Sequence, residues 1–225
     1  MSSRHSVDVI CSKCHNIQTV IVHDSVRISL FSGHKEKEAI SKLKFYTHTC
    51  SFCGNEIKLA YPSLYHDTKK KLMIWLLPVG IPNEQKLLDD ILKTNVPDGY
   101  TTRIVSSAIE LADKIEIFDA DLDDRVVEIC KILIYGDLCK EDTKYDEYDV
   151  RHITYHKNHG TQHAIMYHYE CRGRQASFAV AMQEDYYRDI AKAFNPAIDK
   201  MPCRNYEEVN TNWAYAAIKM YKDKN

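Results

Sequence analysis

The sequence predicts an α+β fold: a small cysteine-bearing β module, then helices, then a C-terminal antiparallel sheet with helices of its own. Three observations lead there. Two Cys-x-x-Cys pairs, Cys11/Cys14 and Cys50/Cys53, stand 35 residues apart amid strand-like runs. Residues 83–140 space their apolar side chains at a helical period, and residues 150–182 alternate apolar and polar side chains as half-buried strands do.

In the first module, "SVDVI" and "IQTVIVHDSVRISLF" are strand-like and flank the first pair. A Cys-x-x-Cys turn presents two thiolates to one ion, and two such turns complete a tetrahedral shell with sulfur about 2.3 Å from the metal. Cys11, Cys14, Cys50 and Cys53 are therefore the expected ligands of one structural Zn2+, on a zinc-ribbon-like β module. Iron suits the same four sulfurs. A redox role would call for a βαβ context, which the strand-like flanks do not provide. Gly54 suits the positive φ that closes the second turn, and Asn16 is the expected left-handed residue of the first. With four cysteines filling the shell, His15 and His48 are expected beside the site or exposed, and no position is left for water or substrate.

The other cysteines, Cys130, Cys139, Cys171 and Cys203, are scattered and read as small buried hydrophobes, with Cys130 and Cys139 facing opposite ways on one helix. "KLAY" and "KLMIWLLP" are expected to form a hairpin joined by "HDTKKK", with Asp67 bonding to turn amides. Tyr65, His66 and Asp67 are consecutive, so alternation along a strand keeps them from converging on one substrate.

The helices follow. "NEQKLLDDILKT" offers Asn83 as N-cap and Leu87, Leu88, Ile91 and Leu92 on one side. A second helix is expected from Thr101, with Ile104, Ala108, Leu111, Ala112 and Ile115 as its stripe. A third begins among Asp119, Asp121, Asp123 and Asp124, whose acids suit a helix N-terminus; the run lacks the glycine and terminal glutamate of a calcium-binding loop. From residue 150, three strands with "NHG" and "RGR" turns hold His152, His156, His159, His163 and His168, five of the 11 histidines. His152 and His156 share a strand face, where His163 or His168 could join them in a second metal site or an acid–base pair. Two helices close the chain, with Trp213 and Tyr215 as anchors.

With the paired cysteines, "KLAYPSLYHDTKKKLMIWLLP", residues 58–78, resembles the CpXC family, prokaryotic proteins named for two Cys-Pro-X-Cys motifs. The segment from 103 to 134 is similar to the helical region that follows the metal module in such proteins. The resemblance covers about residues 8–135 and implies a metal-binding module. Ser12 and Ser51 stand where the family's prolines would be.

Composition and charge bound the function. The 225 residues are 44% hydrophobic and 28% charged, and the longest apolar run, "LMIWLLPVGI", is too short to span a bilayer. The N-terminal residues show no signal-peptide apolar region, so a cytoplasmic protein is expected. The net charge of −2 hides +5 over residues 1–82 and −6 over residues 83–140. No phosphate loop, dinucleotide glycine motif or serine elbow is present. The expected organisation is residues 1–82 as the metal module, 83–140 as an acidic helical segment and 141–225 as an α+β region. The expected function is that of a non-catalytic adaptor whose zinc stabilises a β platform for another protein, with homo-oligomers also compatible. The alternatives are nucleic-acid binding through Arg4, Lys13, Lys69, Lys70 and Lys71, and an enzyme using the His-rich sheet.

Overall fold

A computed structural model describes residues 3–157, 162–171, 173–201 and 205–223, without the side chains of 146 and 147. The chain is mixed α+β and falls into two compact units: one runs to Ala112 and takes in residues 205–208, and the other holds residues 113–201 and 209–223. His159, Arg172 and Cys203 lie outside the described residues, as does the "NHG" turn.

In the first unit, β1 (His5–Ile10) and β2 (Ile17–Val22) form an antiparallel hairpin across the first cysteine turn. β3 (Ser25–Ile28) and α1 (His34–Ser41) follow, and β4 (Thr47–Thr49) and β5 (Glu56–Lys58) pair across the second turn. Next come β6 (Ser63–Asp67), β7 (Leu72–Leu76), α2 (Glu84–Leu92) and β8 (Thr101–Val105). The order β3–β6–β7–β8 makes a mixed sheet, antiparallel only between β6 and β7. Central β7 is buried at Leu72, Met73, Ile74 and Leu76, the continuous apolar run of a strand covered on both faces. Met73, Leu77, Ile91, Ile104 and Tyr206 share one core cluster. Each such side chain contributes about 1.5–3 kcal/mol by leaving water.

Three local expectations change. The hairpin's first strand is Ser63–Asp67, so Lys58 ends β5 and Leu59–Tyr61 stand outside the strands. The turn chemistry holds: Asp67 Oδ1 accepts from the backbone N–H groups of Lys69 and Lys70, both at 3.0 Å. Residues Thr101–Val105 form a strand parallel to β7. Their β-branched Thr101, Thr102, Ile104 and Val105 favour a pleated, buried surface over the helix that a stripe through Ile104 suggests. Asn83 precedes α2 in a left-handed conformation, φ 60°, and makes no side-chain cap. Instead Glu84 reaches back, its carboxylate accepting from Gly80 N–H at 2.7 Å.

The second unit begins inside α3 (Ala108–Asp119) and continues with α4 (Asp124–Glu141), a short 3-10 turn (Thr143–Glu147), β9 (Asp149–Lys157), β10 (His163–Cys171), β11 (Arg174–Met182), α5 (Glu184–Ile198) and α6 (Thr211–Lys222). The sheet is antiparallel in the order β11–β10–β9, as the alternation predicts. Tyr155, Ile165 and Tyr167 on its inner face pack with Ile129 and Cys130 of α4, Phe194 of α5 and Trp213 of α6. Trp213 is buried, but Tyr215 is 57% exposed, because two residues on a helix turn about 200°. Cys130 is buried, whereas Cys139 and Cys171 are half-buried rather than core. No described helix is long and apolar enough to cross a membrane.

Candidate metal centre

The two cysteine turns are built alike. Each occupies a hexapeptide of the form Cys-Ser-x-Cys-x-Asn, residues 11–16 and 50–55. In both, the first cysteine's N–H donates to the carbonyl of the asparagine five residues on, at 3.1 Å from Cys11 to Asn16 and 2.8 Å from Cys50 to Asn55. In both, the residue after the second cysteine donates to the first cysteine's carbonyl at 2.9 Å, from His15 and from Gly54. That closing residue is left-handed, φ 57° at His15 and 70° at Gly54. Gly54 is as expected, but His15, not Asn16, takes the strained position in the first turn, because equivalent turns must close at equivalent residues.

The turns bring the four sulfurs together. Cys11 Sγ lies 3.6 Å from Cys53 Sγ, and Cys14 Sγ lies 3.6 Å from Cys50 Sγ. All four atoms fall within 4.8 Å of one another, and Cys11 and Cys50 are buried. The edge of a sulfur tetrahedron with 2.3 Å metal bonds is about 3.8 Å. A disulfide needs about 2.05 Å, and all four thiols are free. The spacing fits four thiolates around an ion.

Local dipoles favour the thiolates unequally. The Cys14 backbone N–H leads the lowering of the Cys11 thiol. Burial alone would raise Cys50, but the N–H groups of Phe52 and Cys53 and the Gln18 side chain outweigh it and bring it to about 6. Cys53 moves the other way, to about 12: its bond from Asn55 N–H is outweighed by burial and the three neighbouring sulfurs. Four thiolates this close require a cation to ionise together.

Gln18 of β2 ties the turns to each other. Its Oε1 faces His48 Nε2 at 2.9 Å and accepts from Ser51 N–H at 3.2 Å and Ser51 Oγ at 3.4 Å. Its buried Nε2, which makes no closer hydrogen bond, is the side-chain donor that helps lower the Cys50 thiol and is suited to an anionic sulfur. Asn55 Nδ2 donates to Ser12 Oγ at 3.5 Å across the same junction. The serines at the motif's proline positions therefore bond across the junction, and the Ser51 N–H is a donor that proline lacks. His48 stands beside the site through Gln18, and His15 is exposed.

The other candidates separate. Tyr65 and Asp67 share a face of β6 and meet, Tyr65 Oη donating to Asp67 Oδ2 at 3.4 Å, while His66 turns to Tyr100 Oη at 3.2 Å. In the C-terminal sheet, His168 faces His152 in register, and the Thr154 hydroxyl contacts Nε2 of both His156 (3.2 Å) and His168 (3.1 Å). His163 lies on the opposite face, its Nδ1 2.6 Å from Tyr155 Oη. Among the described residues, only the four cysteines form a group of three or more ligating side chains converging on one point.

One polar constellation escapes the sequence reading. Asp123 is the N-cap of α4, accepting from Arg125 N–H at 2.9 Å. Asp124 instead turns inward, into a buried cluster with Asp113, Lys114, Glu128 and Lys131. Lys114 Nζ is 3.1 Å from Asp124 and 2.8 Å from Glu128, and Lys131 Nζ is 2.9 Å from Glu128. The signal was present: Asp124, Glu128 and Lys131 follow i, i+4, i+7 spacing on the apolar side of a helix.

A family model described as CpXC protein matches residues 9–131, more than half of the 225-residue chain. No curated protein and no solved structure matches it. The matched span contains both cysteine hexapeptides, and on that evidence the chain belongs to the CpXC family.

Proposed function

We propose that Cys11, Cys14, Cys50 and Cys53 hold one structural Zn2+ per chain, and that the ribbon they brace is a non-catalytic adaptor for another protein in the cytoplasm. The observation that carries the metal reading is the pair of 3.6 Å sulfur contacts within a four-sulfur cluster. Four protein sulfurs complete a tetrahedral shell, so the ion would brace two hairpins without polarising a substrate. Zinc supplies charge neutralisation and bond geometry there. The turn amides and Gln18 orient the sulfurs.

A protein partner is favoured by the outer face of the first ribbon. Ile10 and Ile17 oppose each other in register, and both are 63% exposed; Ile21 is 58% exposed on the same side of β2. Apolar side chains gathered on a two-stranded ribbon suit a contact surface. Nucleic acid is the second reading, resting on the +5 charge of residues 1–82 and on exposed Arg4, Lys13, Lys69 and Lys71.

Native mass spectrometry against the denatured mass tests the first reading. One zinc per chain with four unmodified cysteines is expected. A metal-free protein that loses two protons per cysteine pair on purification would replace the clamp with a redox element, and iron would replace zinc. For the partner, a protein retained by the tagged chain should leave with Ile17→Asp/Ile21→Asp while zinc content holds. A salt-dependent gel shift with labelled DNA or RNA would favour the second reading instead.

A further inference from the structure

The three-stranded sheet of the second unit has two edges, and they are treated differently. On β9, Asp113 Oδ1 accepts from Tyr155 N–H at 2.6 Å and Glu116 Oε1 accepts from Lys157 N–H at 2.9 Å. Carboxylates from α3 thus occupy donors that another strand would use. On the other side, β11 pairs with β10 alone among the described residues. Its register from Arg174 to Met182 runs without a bulge, and it contains neither proline nor lysine, the usual devices that blunt an edge.

The register says which backbone groups β11 leaves open. Because Tyr155 N–H points away from β10, its pair with Ile165 is the non-hydrogen-bonded kind, and the Ile165 amide faces β11. Ile165 opposes Val180, so Val180 bonds inward and the alternate residues Gln175, Ser177, Ala179 and Ala181 turn N–H and C=O outward. The side chains of these four are exposed, and three of them are small, so little screens the edge.

We propose that β11 pairs antiparallel with β11 of a second copy of this chain, about a two-fold axis at Ala179, joining two sheets into one of six strands. Charge selects a second copy over an unrelated peptide. Arg174 opens the strand without a carboxylate partner among the described residues, while Glu184 and Asp185 just past its end share a single cation, Arg188. With Ala179 on the axis, Ser177 lies opposite Ala181, and Arg174 comes to the end of the second copy's strand, where Glu184 and Asp185 open α5. The two-fold makes each such pair twice. This inference is independent of the metal and of the adaptor reading.

Light scattering or sedimentation of the full chain over a dilution series tests it. Wild type should run at twice 26.1 kDa when concentrated, and Ala179→Pro, which removes one outward N–H, should run as a monomer with unchanged circular dichroism. Should that variant fail to fold, Ala181→Lys places a charge on the exposed edge without touching the backbone and should also run as a monomer. Arg174→Glu, which removes both symmetry-related pairs, should weaken the dimer up to about 30-fold at low salt. Hydrogen exchange should show Ser177, Ala179 and Ala181 amides gaining protection with concentration. A wild-type monomer throughout, a folded Ala179→Pro dimer, or a monomer that takes up an extended peptide of another protein would each overturn the proposal.

Discussion

Lys131 Nζ stands 2.6 Å from Asp113 Oδ2, and both side chains are at least 95% buried. Burial works against the Lys131 charge, but Asp113 and Glu128 outweigh it and hold its pKa above the ordinary lysine value. Replacing the lysine leaves those carboxylates buried and short of a cation. Lys131→Met should therefore cost about 3–5 kcal/mol, read as a lower denaturant midpoint of the second unit. A variant as stable as wild type would show the cluster to be readily relaxed.

Acid should act through Glu128. Burial raises its pKa, but Lys114 and Lys131 outweigh burial and hold it below the ordinary 4.5. A depressed carboxylate pKa means stability present above 4.5 and lost as pH falls through the folded value. Asp113 is shifted up, chiefly by burial, so it opposes that loss over its own range above 3.8. Melts of wild type and Glu128→Gln below pH 4.5 should show the shallower acid limb in the variant.

A smaller trend of opposite sign should appear near neutrality. The Glu116 contact leads the raising of the His156 pKa above 6.5. Its contribution is full below 6.5 and lost as pH rises through the folded value. Glu116→Gln, which keeps an acceptor for Lys157 N–H, should flatten the decline in melting temperature between pH 6.5 and 8 relative to wild type.

The Gln18 bridge should appear in metal retention. Gln18→Ala removes the acceptor of Ser51 N–H and the buried donor beside the sulfurs, and should lower zinc affinity about 10- to 100-fold in chelator competition. Ser51→Pro, which restores the family motif, should weaken retention less, since it removes the Ser51 donors and leaves Gln18 in place.

Chelation itself should act locally. Stripping the ion should speed amide exchange in the β1–β2 and β4–β5 hairpins, which are two-stranded and have little core of their own. Amides of β10, in the centre of the second sheet, should keep their protection. Cys50→Ser should reproduce the first effect without chelator.

The sequence carried the four-cysteine cluster and the C-terminal sheet because both depend on local pattern: cysteine spacing in one, side-chain alternation in the other. It was misleading at Thr101–Val105, where a helical stripe through Ile104 competes with a run of β-branched residues, and pairing with β7 decides. Asp124 illustrates another limit. Four acids in six residues look like one feature, yet Asp123 caps the helix while its neighbour, about 100° further round, turns into the core toward Lys114. Gln18 carried no signal at all, since its importance comes from a contact with Ser51, 33 residues away.

The matched hexapeptides at 11–16 and 50–55 have a consequence for how the ribbon tolerates change. Each makes the same two backbone bonds, and each sends its cysteines to the other's sulfurs in crosswise pairs. Their backbones are equivalent parts. Grafting Phe52-Cys53-Gly54 in place of Lys13-Cys14-His15 would relieve the left-handed histidine with the residue that tolerates it best. Such a spare-part exchange makes the first turn the place where an evolving chain, or an engineer, can alter the surface beside the sulfurs without disturbing their geometry.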